Sequence, residues 1–329
     1  MMPNELKEVF LKLDLKSLLR NLTLNVKSAV KPFLGTKFAK NIEKVAYSGD
    51  VTYGIDMVAE REIKKVLQPL VDRGELAYCT EDEGLVKKGN PEYLLVIDPI
   101  DGTRSAAAGL EACTVSVAVS PMNDDPKYKD VFLACILELK DDRFFWAERG
   151  KGAWIEEEGK IFDPCPVEPE SLDGLFWSLG FIGRPARWIA VCMEELINRS
   201  AIRGGFFVLN SCTFSLTRIL TGQFHAWVDV GNRLYRDFPS LREEFHQITK
   251  GKPVGMLPYD LAAINLILKE AGVPLTDAYG VPYDDRSLLD WSVDGLVSGF
   301  SASTQRLYEE IMNEINKGMR RLEGLLRRS

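Results

Sequence analysis

The strongest constraint in this chain is a six-residue segment between an apolar run and a predicted helix. The segment is Asp98–Thr103, with the sequence Asp-Pro-Ile-Asp-Gly-Thr. The preceding run Leu94–Ile97 is continuously apolar, which is typical of a buried strand. Pro99 fixes its own φ, and Gly102 lets the backbone approach a ligand closely, so this turn has few ways to fold. The two aspartates are therefore predicted to lie at the carboxyl end of a buried strand.

Carboxylates at such a turn form a candidate site for a hard cation beside an anion. Mg²⁺ prefers oxygen ligands, and Asp98, Asp101 and the carbonyl group of Ile100 would supply part of its shell. Helix formers follow this segment, so the N–H groups of Gly102 and Thr103 would face an anion such as phosphate. The alternative is a solvated turn or a helix cap. The complete segment after a buried strand favours the metal site.

At these residues the chain resembles the inositol monophosphatase-like superfamily of metal-dependent sugar phosphatases, which includes fructose-1,6-bisphosphatases. The family signature is Asp-Pro-(Ile/Leu)-Asp-Gly-(Ser/Thr). Thr80–Gly84 is similar to the family's upstream acidic segment, and Tyr259–Ala263 is similar to its downstream segment. The resemblance covers about residues 45–300, in the family's order. It implies that two or three Mg²⁺ ions, which Mn²⁺ can replace, are held by Glu81, Asp98, Ile100, Asp101 and Asp260.

The resemblance also implies an enzyme, a phosphoric monoester hydrolase that cleaves a small sugar or polyol phosphate with metal-activated water. Its catalytic residues would be Glu81, Asp101 and Thr103, with Thr103 and Glu81 orienting the water. The family pattern further implies inhibition by lithium, and a homodimer is expected. The implied substrate-binding residues are Gly102, Thr103, Ser211 and, for a sugar hydroxyl, Asp229.

The substrate itself stays open at this point. Inositol monophosphates and fructose 1,6-bisphosphate come first, and a nucleoside 3′-phosphate is an alternative. A catalytically silent phosphosugar-binding protein is a further alternative from a different functional class. Because every metal-ligating carboxylate of the family is present, the enzyme is favoured over the silent protein.

The chain departs from the family between Asp229 and Asp260, where Gly231–Leu257 replaces a short link. If an arginine of this insertion reaches the substrate, it could pair with a second phosphate and favour a bisphosphate. The alternative is a surface excursion whose basic and acidic residues pair with each other. The arginines concerned are Arg233, Arg236 and Arg242.

Composition excludes several other functions. A net charge of −7 argues against a nucleic-acid surface. The six cysteines include no Cys-x-x-Cys pair, which disfavours zinc clusters and disulfide frameworks. The two histidines form no His-Glu-x-x-His motif, which argues against zinc hydrolysis with imidazole ligands. Gly299–Ser303 lacks the second glycine of a nucleophile elbow and is interpreted as a loop. No apolar run of about 18 residues and no leader are found, so a membrane partner is not expected and the cytoplasm is the expected location.

The apolar pattern predicts an α+β fold, and the resemblance makes it a layered αβαβα sandwich. We divide the chain into an α+β half, residues 1–174, with the Glu81 and Asp98–Thr103 loops, and an α/β half, residues 175–329, with Asp260 and the substrate contacts. Helical spacing is found from Leu6 to Leu13, over residues 56–70 and in the terminal segment from Leu307 to Leu322. An amphipathic terminal helix packed on the body is favoured over a dimer contact.

Further elements follow from β-branched runs and from helical spacing. The first half is predicted to contain an antiparallel sheet, and the second half an alternation of strands and helices. The predicted strands are 114–119, 131–137, 143–147, 175–179, 206–209, 226–230 and 295–298. The predicted helices of the second half are 189–200, 214–221 and 261–271.

Overall fold

The structure, a computed structural model, describes residues 13–45 and 51–328. Its α-helices are α1 (Leu15–Val30), α2 (Gly54–Asp72), α3 (Thr103–Ala108), α4 (Ala186–Ser200), α5 (Cys212–Leu220), α6 (Gly231–Asp237), α7 (Arg242–Thr249), α8 (Pro258–Glu270) and α9 (Gln305–Leu326). Its strands are β1 (Ile42–Val45), β2 (Val51–Tyr53), β3 (Leu76–Thr80), β4 (Gly84–Val86), β5 (Tyr93–Asp101), β6 (Thr114–Pro121), β7 (Leu133–Glu138), β8 (Phe144–Glu148), β9 (Gly152–Glu157), β10 (Lys160–Phe162), β11 (Phe176–Leu179), β12 (Gly205–Phe207), β13 (Ala226–Asp229), β14 (Leu275–Thr276) and β15 (Gly299–Ala302).

Two sheets form the framework. The first has eight strands in the order β10-β9-β8-β7-β6-β5-β3-β4, and its strands are antiparallel except for the parallel pair β3 and β5. The second has five strands in the order β12-β11-β13-β15-β14. Within it, β11 runs parallel to β12 and β13, whereas β15 is antiparallel to its neighbours. The antiparallel sheet predicted for residues 114–147 is thereby confirmed.

Helices cover the sheets in three layers. On the outer face of the first sheet, Leu22 of α1 and Ile63 of α2 share a buried cluster with Leu95 of β5. Between the sheets, Leu216 of α5 and Ile264 of α8 lie in the cluster that contains Val96 and Trp227. A third cluster joins α4, α9 and the far side of the second sheet. The molecule is therefore the predicted αβαβα sandwich.

Helix α9 follows its predicted pattern. Leu307, Ile311, Ile315, Met319 and Leu322 are buried and pack in the third cluster with α4. The Thr304 hydroxyl caps the helix by accepting a hydrogen bond from the Leu307 N–H group at 3.2 Å. The favoured alternative, a terminal helix packed on the body, is confirmed.

Some predicted elements differ in the structure. Gly299–Ser303, predicted as a loop, contains strand β15, and the strand predicted at 295–298 is reduced to a single bridge at Val297. A Cβ atom on Gly299 would lie 2.4 Å from the Trp227 ring, so the missing side chain is needed for this strand to pair beside the ring. The helix predicted from Leu6 lies largely outside the described residues, and α1 was not predicted.

Among the helices of the described residues, none has the length and apolar composition needed to cross a bilayer.

Candidate active site

One cavity, of about 130 Å³, collects the predicted site residues. It lies where the ends of β5, β11 and β13 approach the starts of α5 and α8. Those of its lining residues that the sequence predicted are Glu81, Asp98, Ile100, Asp101, Gly102, Thr103, Ser211, Asp229 and Asp260.

The turn that carries the two aspartates is an irregular end of β5. Asp98 pairs with Ser116 and Asp101 with Thr114, and the register shifts between them. The strand therefore extends four residues beyond the apolar run Leu94–Ile97, to Asp101. Gly102 then has a φ of +87°, and a Cβ atom there would lie 2.3 Å from the carbonyl oxygen of Ala112. Only glycine allows this turn, so the strand leads directly into α3.

Asp101 is held by the start of α5. Its Oδ2 accepts hydrogen bonds from the Ser211 hydroxyl and the Thr213 N–H group, both at 2.6 Å. The Thr213 hydroxyl donates to the same oxygen. Oδ1 receives only a 3.3 Å contact from the Cys212 N–H group. One oxygen of the carboxylate is therefore anchored, while the other has weak competition from the protein.

The carboxylates at this end perturb one another strongly. Burial raises the pKa of Asp98 well above its usual value, and the charges of Asp101, Asp260 and Glu81 raise it further. Burial also raises the pKa of Asp101, although the hydrogen bonds from Ser211 and Thr213 oppose the shift. We call Glu81, Asp98, Ile100, Asp101 and Asp260 the metal end of the cavity.

These residues fit divalent cations. Buried carboxylates that lie together remain ionised only when positive charge compensates them. Their oxygens, with the carbonyl oxygen of Ile100, form an all-oxygen donor set of the kind that Mg²⁺ and Mn²⁺ prefer. The metal end could therefore hold the ions that the sequence implied.

Thr103 connects this end to a carboxylate that was not included among the predicted site residues. Its hydroxyl donates to the Ile100 carbonyl oxygen at 3.0 Å. Burial raises the pKa of Asp56, while hydrogen bonds from the Tyr53 N–H group and the Thr103 side chain oppose that shift. The Thr103 hydroxyl can therefore contact Asp56 as well as the carbonyl group. A sequence signal for Asp56 is its position at the start of the predicted helix 56–70.

Glu60 lies next to the loop that carries Glu81 and forms hydrogen bonds with it. Its Oε1 accepts a 3.3 Å hydrogen bond from the Asp82 N–H group, while Oε2 is buried and has no hydrogen-bond partner among the described residues. Burial raises the pKa of Glu60 to about 8, although a hydrogen bond from Thr80 opposes this. The residues on both sides of Glu81 therefore contact one buried carboxyl group.

The opposite end of the cavity contains a carboxylate with its own cation. Arg184 binds Asp229 with Nη2 at 2.6 Å from Oδ2 and Nε at 3.2 Å from Oδ1. The Gly231 N–H group also donates to Oδ1, at 2.8 Å. A Cβ atom on Gly180 would lie 2.5 Å from Oδ2 of Asp229, and one on Gly231 would lie 2.3 Å from Nε of Arg184. The two glycines make room for this buried pair, which lines the cavity.

Arg184 was missed because nothing near it in sequence marks it as a partner of a carboxylate 45 residues away. Its Nη1 donates to the carbonyl oxygen of Val254 at 3.2 Å, which connects the pair to the insertion. We call one group of lining residues the leaving-group end of the cavity: Phe181, Ile182, Arg184, Asp229 and Val254–Met256.

The hypothesis that arginines of the insertion reach the substrate is wrong for this structure. Arg233 donates to the Ala278 carbonyl oxygen at 2.6 Å, and Arg236 donates to that of Asp294 at 2.5 Å. Arg242 donates to the Tyr235 carbonyl oxygen at 3.0 Å. All three side chains are thus hydrogen-bonded to backbone carbonyl groups, and none of the three lines the cavity. The insertion reaches the cavity through Val254–Met256 instead.

Two further residues at the start of α5 shape the metal end. Asn210 has a φ of +58°, the left-handed conformation, which asparagine adopts more readily than most other non-glycine residues. Cys212 lines the cavity and is partly exposed. Of the other cysteines, Cys79, Cys113, Cys135 and Cys192 are buried, whereas Cys165 is exposed.

Comparisons with known proteins agree with this geometry. The family model described as "Inositol monophosphatase family" matches residues 14–320. A fructose-1,6-bisphosphatase/inositol-1-monophosphatase from Methanothermobacter thermautotrophicus is 26% identical over 298 residues, covering 88% of this chain and 92% of the relative. A protein of the same description from Thermococcus kodakarensis is 30% identical over 265 residues, covering 80% and 84%. The structure of an inositol monophosphatase–fructose 1,6-bisphosphatase superposes with a TM-score of 0.68 at 19% identity, covering 92% of this chain and all of the other.

Proposed function

Because the chain belongs to the inositol monophosphatase family and is a metal-dependent phosphoric monoester hydrolase, we propose that it hydrolyses a small sugar or polyol phosphate. The observation that carries the proposal is the convergence of Glu81, Asp98, Asp101 and Asp260 in one cavity, next to the Gly102–Thr103 backbone. Glu81 and Asp260 are far in sequence from the Asp98–Asp101 turn, and bound cations would allow all four carboxylates to stay ionised in one cavity.

The metal end would hold Mg²⁺, or Mn²⁺, through its four carboxylates and the Ile100 carbonyl oxygen. When bound, such ions neutralise phosphate charge and lower the pKa of a water molecule. Thr103 and Glu81 would orient that water, with Asp56 beside Thr103, because the Thr103 hydroxyl can donate its one proton to a protein oxygen and accept a hydrogen bond from the water. The N–H groups of Gly102 and Thr103 and the Ser211 hydroxyl would contact the phosphate oxygens. Asp101 would keep its geometry because Ser211 and Thr213 hold one of its oxygens.

Two candidate substrates are taken from the names of the relatives: fructose 1,6-bisphosphate and an inositol monophosphate. The charges at the leaving-group end are compatible with both. Arg184 neutralises Asp229, so this end does not repel a second anionic group as a lone carboxylate would. Asp229 also lines the cavity. It would accept a hydrogen bond from a substrate hydroxyl while it remains paired with Arg184. Hydrolysis of a nucleoside 3′-phosphate is the next alternative. The complete carboxylate set argues against the silent phosphosugar-binding protein.

The test is a panel of substrates assayed at saturating Mg²⁺. We expect kcat/KM to be highest for fructose 1,6-bisphosphate or inositol 1-phosphate and at least about tenfold lower for 3′-phosphoadenosine compounds. A higher value for the nucleotide would move the substrate assignment to the nucleotide class. Absence of phosphate release from every phosphomonoester would refute the enzymatic proposal.

Two family properties complete the proposal. Lithium at tens of millimolar should inhibit the enzyme, and insensitivity at that concentration would weaken the inositol-type assignment. We also propose a homodimer, which sedimentation velocity would show as about twice the chain mass of 37.0 kDa. A monomer at all concentrations would contradict that assignment.

A further inference from the structure

A cysteine reaches the metal end of the cavity. Cys212 is the first residue of α5, and its Sγ lies 3.5 Å from the backbone carbonyl oxygen of Asp260. Donor atoms of Asp101, Cys212 and Asp260 all lie within 4.8 Å of one another. The three residues come from the end of β5, the start of α5 and the start of α8. Three separate elements thus bring two carboxylates and one thiol to a single point.

This donor set mixes two kinds of ligand. Carboxylate oxygens suit Mg²⁺ and Mn²⁺, whereas thiolate sulfur favours softer ions such as Zn²⁺. A sulfur ligand adds little for Mg²⁺, because that ion keeps water in preference to sulfur. For a soft ion, the Cys212 S–H bond breaks, a sulfur–metal bond forms, and the proton passes to the buffer.

We propose that Cys212 is a further ligand of the Asp101–Asp260 site, one that Zn²⁺, Co²⁺ and Cd²⁺ use and Mg²⁺ does not. The inference rests on the proposed function in taking Asp101 and Asp260 as metal ligands. It adds that soft divalent cations bind this site more tightly than an all-oxygen site would and compete with Mg²⁺ there.

The other cysteines supply the control. Cys79, Cys113, Cys135 and Cys192 are buried, and Cys165 is exposed. The backbone N–H group of Cys165 donates to the carbonyl oxygen of Leu220, the last residue of α5, whereas Cys212 is the first. Cys165→Ala therefore removes the exposed thiol at the end of α5 away from the site, which leaves Cys212 as the accessible thiol among the described cysteines.

The first experiment is a Co²⁺ titration of the Cys165→Ala protein, followed by near-ultraviolet absorption. A sulfur-to-cobalt charge-transfer band should grow and saturate at about one equivalent of Co²⁺. Cys212→Ser, which keeps the size of the side chain but replaces sulfur with a hard oxygen, should lose the band. A pH-stat should record about one more proton released per Co²⁺ in the parent than in Cys212→Ser. A band that persists in Cys212→Ser, or no band in the parent, would overturn the inference.

The second experiment compares ions by calorimetry. In Cys212→Ala, the ratio of the Cd²⁺ to the Mg²⁺ dissociation constant should rise at least about tenfold. A packing defect would weaken both ions alike and leave that ratio unchanged, which would contradict a ligand role. Neither experiment requires turnover. If no phosphate ester is hydrolysed, the proposed function fails, while the cobalt spectra still decide the role of Cys212.

Discussion

The two ends of the cavity treat buried carboxylates in opposite ways. At the leaving-group end, Asp229 is paired with Arg184 and accepts a hydrogen bond from the Gly231 N–H group. At the metal end, burial raises the pKa of Asp98 well above its usual value, and the charges of Asp101, Asp260 and Glu81 raise it further. One end is neutralised by the chain itself, whereas the other accumulates negative charge.

The difference shows how a fold can reserve a place for external cations. A carboxylate that has an arginine partner is compensated during folding, so it has little need of an added ion. Carboxylates that face one another remain costly until a divalent cation binds, which makes the binding of that cation favourable. The comparison therefore predicts a protein whose metal end depends on Mg²⁺ and whose leaving-group end does not.

The largest effect should come from breaking the leaving-group pair. Arg184→Met leaves the Asp229 carboxylate buried without a cation, and the free energy of unfolding should fall by about 3–5 kcal/mol. Urea denaturation would measure this. Adding Asp229→Asn should recover much of the loss, because the uncompensated charge is removed. Arg187→Met, at an exposed arginine stacked on Trp188, is the matched control. A loss below about 1 kcal/mol would mean that Asp229 does not depend on this arginine.

The next effect concerns the metal end. Asp101→Asn or Asp260→Asn should lower kcat by at least about 10² at saturating substrate, because a ligand of the metal site is lost. The same variants should show a smaller rise in melting temperature on addition of Mg²⁺. Asp285→Asn, at an exposed acid paired with Lys129, should behave as wild type. A folded variant with wild-type turnover would remove that aspartate from the site.

A smaller effect should appear in the pH dependence of stability without metal. Glu60 has a folded pKa of about 8, above the usual value of 4.5. Its contribution is therefore complete below about pH 4.5 and is lost as pH rises through the folded pKa. In chelator, unfolding should become easier by on the order of 3 kcal/mol between about pH 5 and pH 8, and Glu60→Gln should flatten that slope. Glu62→Gln on the same helix should keep the wild-type slope, and an unaltered slope in Glu60→Gln would contradict the prediction.

The smallest effect should come from the arginines of the insertion. Because Arg233, Arg236 and Arg242 bind backbone carbonyl groups outside the cavity, each alanine variant should change the kcat/KM ratio of fructose 1,6-bisphosphate to inositol 1-phosphate by less than about twofold. Replacing Gly231–Leu257 with a short glycine-serine link removes Val254–Met256 as well and should change the ratio by about tenfold. A selective tenfold loss in a single arginine variant would restore the hypothesis of a second-phosphate contact.

The metal end was largely predictable because its residues lie in short contiguous sequence segments. Asp98–Thr103 is contiguous, and its apolar strand and obligatory glycine are visible in the sequence. Glu81 and Asp260 came from resemblance to family segments, and the cavity collects both. The sheet strands β6, β7 and β8 were predictable for the same reason, since β6 is rich in valine, β7 is largely apolar and β8 begins with three aromatic residues.

The leaving-group end was not predictable because its contacts are made over long sequence distances. Arg184 and Asp229 are 45 residues apart, and the space for them is created by two glycines that have no motif of their own. Strand β15 was missed on similar grounds, since Gly299 is a poor strand residue until Trp227 packs beside it. The arginines of the insertion carried the right charge, but sequence could not show that backbone carbonyl groups bind them.

Phosphate release with and without divalent cations tests the central claim most directly. The purified protein is treated with a chelator, assayed on fructose 1,6-bisphosphate and inositol 1-phosphate, and assayed again after Mg²⁺ or Mn²⁺ is added in excess. We expect no release above background in chelator and restored turnover on at least one substrate with either ion, because the metal end requires cations for the reaction. Equal turnover in chelator and in Mg²⁺ would contradict a metal-dependent reaction at Glu81, Asp98, Asp101 and Asp260.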